Sequence, residues 1–184
     1  MVIDSALFWG LIVIIAAQRV SELRLARRNL QWALSQGGRL IEEPHYWMFF
    51  VLHIGWLLAW PLEAWFGSPG GSPSGPELGV GWPAWLIGFV LAEALRYWAI
   101  ASLGRRWNTK IVVIDGAPLI RQGPYRFIAH PNYLAVALEL LCVPLIFGAW
   151  ITAVVCTVLN AALLLGLRIP AELAAVRAAG EAHD

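Results

Sequence analysis

The segment Gly123-Pro124-Tyr125-Arg126, followed after three residues by His130-Pro131-Asn132-Tyr133, gathers an arginine, a histidine and two tyrosines among turn-forming residues. It opens directly onto the apolar run Leu134 to Phe147. Basic and aromatic side chains concentrated in this way suit an anionic or nucleotide-like ligand. At the mouth of a membrane helix they are costly unless something binds there. The competing reading is a positively charged loop with Pro and Gly turns. A second set of polar residues lies within the apolar stretches themselves. Glu93 and Arg96 are three apart, so a helix places them on one face where they can pair. Glu139, His53 and Asn160 fall inside other apolar stretches. Ionisable groups in a span mark function by default, but a structural ion pair of Arg96 with Glu93 or Glu139 fits equally well. For His53 the choice lies between an interhelical hydrogen bond and contact with a substrate. Asn160 reads as polar glue between helices.

The elements that must position these groups are membrane helices. Only 14% of the 184 residues are charged and 59% are hydrophobic, with a mean hydropathy of +0.65, whereas a soluble domain carries about a quarter charged residues. This predicts an all-α integral membrane protein of a single domain, 1–184. Its apolar stretches are Val2 to Ala17, Tyr46 to Phe66, Gly81 to Leu103, Tyr133 to Phe147 and Ala149 to Leu167. The first three spans occupy 1–103, and the loop, a C-terminal helical hairpin and the tail occupy 104–184. A span needs about twenty apolar residues, so the short fourth stretch, which contains Pro144, starts inside the interface or tilts. Val20 to Leu34 continues the first helix, with Leu23, Leu30 and Leu34 at helical spacing.

Arginines cluster after the first, third and fifth spans, including Arg19, Arg24, Arg105, Arg106, Arg121, Arg168 and Arg177, while Gly67 to Gly81 has no Lys or Arg. The positive-inside rule makes the charged side cytoplasmic, with the N-terminus outside and the C-terminus inside the inner membrane. A formal charge of +1 gives no pointer to nucleic acid. Cys142 and Cys156 sit in apolar runs and read as small core residues, and the four His show no metal-ligand spacing.

Gly-Pro-Tyr-Arg, three residues, His-Pro-Asn-Tyr, an apolar hairpin and then Arg168 and Glu172, in that order, resemble the isoprenylcysteine carboxyl methyltransferase family. Arg96-Tyr97-Trp98, Leu103 to Thr109 and Gly116-Ala117-Pro118-Leu119 fit the same pattern. Gln18-Arg19-Val20-Ser21-Glu22-Leu23 and Arg27-Arg28-Asn29 are similar to a bacterial branch that O-methylates alkylpyrones and alkylresorcinols made by type III polyketide synthases. The resemblance implies about five transmembrane helices, a cytoplasmic cofactor-binding loop and S-adenosylmethionine as cofactor, leaving as S-adenosylhomocysteine. It implies that Gly123, Tyr125, His130, Pro131, Tyr133, Arg168 and Glu172 surround the cofactor. Arg126, His130 and Glu139 would serve catalysis, and Arg96, Trp107 and Asn108 would face the acceptor. Three positions depart from the family pattern: Ala129 where Arg is usual, Ala135 where Gly is common, and Leu173 in place of a second acidic residue.

Two function classes follow. The first is methyl transfer to an oxygen of a lipid-tailed acceptor, either an enol or phenol or a prenylcysteine-like carboxylate, with a functional link to a type III polyketide synthase. The second is a non-catalytic protein of the same fold that binds a lipid or partner, to which Ala129 and Leu173 point.

Overall fold

The computed structural model describes residues 5–67 and 76–181. The first residues of the first span and most of the Gly67 to Gly81 connection lie outside the described residues. Six helices dominate: α1 (Ser5–Ser35), α2 (Tyr46–Phe66), α3 (Trp82–Leu103), α4 (Pro131–Ile146), α5 (Trp150–Leu163) and α6 (Ile169–Glu181). No Gly or Pro interrupts the chain from Leu11 to Ser35, and α1 accordingly runs unbroken through the arginine-rich extension. Pro131 opens α4, where a missing N–H costs nothing. Gly148, at φ +71°, turns the chain back from α4 into α5.

Among the described residues, four helical stretches are long and apolar enough to cross a membrane: α1, α2, α3 and the continuous stretch Trp150–Ala179. The chain is an all-α integral membrane protein. The fourth apolar stretch forms a helix of 16 residues, about 24 Å at 1.5 Å per residue against a hydrocarbon core of about 30 Å. It is the most enclosed helix, with Pro131, Ala135, Glu139, Leu140, Cys142, Val143, Pro144 and Ile146 all buried. Small residues let α3 press against it. Ala92, Ala99 and Ala135 are fully buried, and a Cβ on Gly88 would stand 2.8 Å from Cys142 Sγ.

The two ends of the bundle are tied differently. At one end, Phe8, Trp60 and Phe147 form an aromatic cluster, with Phe147 edge-on to Phe8 at 5.1 Å and stacked on Trp60 at 5.2 Å. Glu63 of α2 caps α5 there: its carboxylate accepts the Ile151 N–H at 2.9 Å, the Thr152 N–H at 2.7 Å and the Thr152 hydroxyl at 2.6 Å. The residue before α5 is Ala149, which has no side chain able to cap, so the carboxylate from α2 takes that role.

At the other end the connections interlock. Strand β1 (Arg39–Leu40) pairs antiparallel with β2 (Val112–Val113), and the Ile41 N–H donates to the Ile111 carbonyl at 3.0 Å. This pairing is not foreseeable from the sequence, because strands of two residues carry no period. Asn29 Nδ2 donates to the Trp107 carbonyl at 2.7 Å and holds the start of the long loop against α1.

Replacing Glu63 with Ala should lower the thermal midpoint of the detergent-purified protein, at a cost of about 1–2 kcal/mol for a lost helix cap. Thermal unfolding followed by circular dichroism checks this, and an unchanged midpoint would show that water replaces the carboxylate.

Candidate active site

A cavity of about 520 Å³ opens inside the interlocked end of the bundle, between α1, α2, α3, α4 and α5. That volume falls in the range of small-molecule sites. Its lining is mostly apolar, with polar groups at two places.

At the mouth, Arg168 is the hub. The chain from α5 into α6 passes through a π-helical turn, Leu164–Arg168. Pro170, lacking an N–H and carrying a ring that conflicts with the carbonyl of the preceding turn, is a sufficient reason for the wider turn. The helix therefore continues, and Arg168 and Glu172 both reach Tyr133. Arg168 Nε donates to the Tyr133 hydroxyl at 3.0 Å, and that hydroxyl donates to Glu172 Oε2 at 2.6 Å. Arg168 Nη2 donates to the Thr109 carbonyl at 3.0 Å, and Nη1 pairs with Glu43. The other oxygen of Glu43 accepts the Ile111 N–H at 3.0 Å. His130 stacks on the Tyr133 ring at 5.1 Å, with Nδ1 3.9 Å from Glu172 Oε2. Tyr125 is half-buried beside them, and burial together with the Glu172 charge pushes its hydroxyl up to about 12. It stays neutral across the physiological range.

Deeper in, Arg96 lies 2% exposed at the centre of an ion network. It pairs with Glu139 of α4, with Glu22 of α1 at 3.4 Å and with Glu93 of its own helix at 3.5 Å. Arg19 bridges Glu139 at 3.2 Å and Glu22 at 3.0 Å, while Gln18 donates to Glu93. Two guanidiniums thus face three carboxylates.

A family model, "Isoprenylcysteine carboxyl methyltransferase (ICMT) family", matches residues 85–178. That covers most of α3, the loop, both polar clusters' α4 residues and Arg168. The chain belongs to the isoprenylcysteine carboxyl methyltransferase family. It is a family of membrane methyltransferases. "Uncharacterized protein YpbQ" of Bacillus subtilis (strain 168) is 39% identical over 166 residues, spanning 90% of this chain and 94% of that one. No solved structure matches.

Most of the residues singled out by the family motif come together. His130, Tyr133, Arg168 and Glu172 form the mouth cluster, with Pro131 buried at the start of α4 beneath it. Arg96, Trp107, Asn108 and Glu139 all line the cavity. Asn108 is also structural, since its Nδ2 donates to the Ala26 carbonyl at 3.1 Å. Both pairings considered for Arg96, with Glu93 and with Glu139, exist together.

Other expectations need correction. Arg126 is exposed in a short 3₁₀ turn, its guanidinium 5.7 Å from the Phe127 ring, and it does not line the cavity. Gly123 serves the turn: it sits at φ +58°, and a Cβ there would stand 2.0 Å from Ser102 Oγ. Arg19, expected among the topology-setting charges, belongs to the ion network. His53 makes no interhelical bond; its Nδ1 lies 2.7 Å from the Phe49 carbonyl of its own helix. Asn160 is not glue, because neither amide atom has a hydrogen-bond partner. Glu43, Glu22 and Gln18 were missed as site residues. For Gln18 and Glu22 the available signals are the branch-like segment Gln18 to Leu23 and the i, i+3 spacing of Arg19 and Glu22; Glu43 carries none.

Arg96→Met alone should destabilise the protein by about 3–5 kcal/mol, the usual result of removing one partner from a buried ion pair. Adding Glu139→Leu should recover part of that loss. Chemical unfolding in detergent measures both, and a double variant less stable than the single one would show that the network is not held by this pair.

Proposed function

We propose that the chain is an S-adenosylmethionine-dependent O-methyltransferase whose acceptor is lipid-tailed and enters from the bilayer. The observation that carries this reading is a single cavity with a polar, charge-paired mouth and an apolar flank open to the side. Val20 and Leu23 of α1 and Phe50 and Ile54 of α2 line the cavity and are also exposed on the molecule's surface. An alkyl chain lying between these helices stays in apolar surroundings throughout.

The mouth residues fit the cofactor. Arg168 has five N–H groups and spends three on Tyr133, Glu43 and Thr109. The remainder can take the cofactor's carboxylate, while Glu172 offers a partner for its ammonium. Trp107 Nε1 and Asn132 Oδ1 are a buried donor and a buried acceptor without protein partners, and both residues line the cavity. Buried polar atoms in this state, inside a cavity, are ones that a ligand can satisfy. The bound cofactor supplies an electrophilic methyl group on a sulfonium. The protein's part is to hold the acceptor oxygen in line with that methyl and to exclude water, and proximity of this kind accounts for much of the acceleration.

The acceptor is an alkylpyrone- or alkylresorcinol-like enol or phenol, or a prenylcysteine-like carboxylate. A type III polyketide synthase would supply the former. Arginines at the interlocked end support a site at the cytoplasmic face of the inner membrane. The reading as an eroded, non-catalytic relative rests on Ala129 and Leu173. Both are exposed and neither lines the cavity, so these departures leave the polar lining intact.

Calorimetric titration of the purified protein with S-adenosylmethionine and S-adenosylhomocysteine tests the proposal. Saturable binding of both is expected, weakened at least about tenfold in Glu172→Gln and in His130→Ala, the value of one charge-assisted contact. No binding to a folded sample at millimolar cofactor would overturn it.

A further inference from the structure

Outside the mouth and the ion network, His53 and Asn160 are polar side chains of the cavity that keep atoms with no hydrogen-bond partner among the described residues. His53 of α2 donates from Nδ1 to the Phe49 carbonyl at 2.7 Å. A carbonyl only accepts, so this bond fixes the proton on Nδ1 and leaves Nε2 with a free lone pair. Among the described residues, nothing hydrogen-bonds to Nε2. Asn160 of α5 is 1% exposed, and both its amide atoms lack partners. Both residues line the cavity. Trp56, one turn along α2 from His53, donates from Nε1 to the Leu140 carbonyl at 3.1 Å. This sets His53 against the turn of α4 that carries Glu139.

The charged groups around His53 are Arg19 from α1, Arg96 from α3 and Glu139 from α4. All three are committed to the ion network, in which carboxylates outnumber guanidiniums. The deep end of the cavity therefore offers a neutral lone pair and a neutral amide, while its two guanidiniums, though each keeps an unbonded Nε–H, are already outweighed by three carboxylates. That set does not suit a carboxylate. It suits a neutral hydroxyl that must lose a proton, with a second oxygen near it.

We propose that His53 and Asn160 form the acceptor's headgroup site, in which His53 Nε2 takes the proton of an aryl or enol hydroxyl while Asn160 hydrogen-bonds its second oxygen. The assignment rests on the function proposed above. As the acceptor's O–H proton moves to Nε2, the oxygen's electron pair forms the new O–CH₃ bond and the S–CH₃ bond breaks, its electrons remaining on sulfur as a neutral thioether. The imidazolium then releases its proton to water.

The test uses a 5-alkylresorcinol, a 4-hydroxy-2-pyrone and a fatty acid, all with the same alkyl tail. In cofactor-free protein, calorimetry should show the alkylresorcinol binding at least about tenfold tighter than the fatty acid. His53→Gln and Asn160→Leu should each weaken it about tenfold, with S-adenosylhomocysteine affinity unchanged, a loss typical of one hydrogen-bond partner in a buried site. In turnover, His53→Gln should lose about 10²–10⁴-fold in kcat on the alkylresorcinol, the usual span of general-base catalysis, and far less on the more acidic pyrone. His53→Ala regaining turnover with added imidazole would give independent support. Equal losses on both hydroxyl acceptors, or a fatty acid bound as tightly as the alkylresorcinol, would overturn the assignment while leaving the methyltransferase reading in place. Wild-type protein that does not bind S-adenosylhomocysteine would overturn both.

Discussion

A guanidinium buried in the middle of a membrane bundle is the constraint around which this molecule is organised. Arg96 is tolerable there only because carboxylates from α1, α3 and α4 converge on it. Each carboxylate is anchored on a different helix, so the network fixes the helices' relative rotation as well as their charge balance. Breaking any one link would leave a charge in apolar surroundings, a far larger penalty than the loss of a surface pair. The same long side chains, Arg19, Glu22, Arg96 and Glu139, line the deep end of the cavity.

The mouth depends on a second device, a local departure from regular helix. In a continuous α-helix Pro170 would conflict with the turn before it. The π-helical turn at Leu164–Arg168 accommodates it and carries Arg168 into contact with Tyr133, Glu43 and Thr109 at once. Wide turns of this kind recur where a helix must deliver a side chain to a site. Here the irregularity and the hub residue coincide.

The membrane class, the helices and much of the site are legible in the sequence, for identifiable reasons. Long apolar runs declare spans, and the His-Pro and Arg-Glu motifs name His130, Tyr133, Arg168 and Glu172 by family pattern. What is not legible is pairing across distant segments. Glu43 precedes a helix with no periodic partner, and its role appears only once α5 is folded against α2. Arg126 shows the opposite case. Adjacency to the motif draws it in, yet the 3₁₀ turn leaves it exposed against Phe127. For His53 and Asn160 the residue types are legible but the absence of partners is not, because satisfaction of a hydrogen bond is a property of three-dimensional neighbours alone.

The Glu43–Arg168 pair joins residues 125 positions apart. A chain emerging from the ribosome inserts its first three spans long before Arg168 is made, so Glu43 waits without its counter-ion until the last helix arrives. The mouth thus closes only on a complete chain. Assembly of the bundle and closure of the cavity's mouth become one event, and a truncated nascent product lacks the finished pocket.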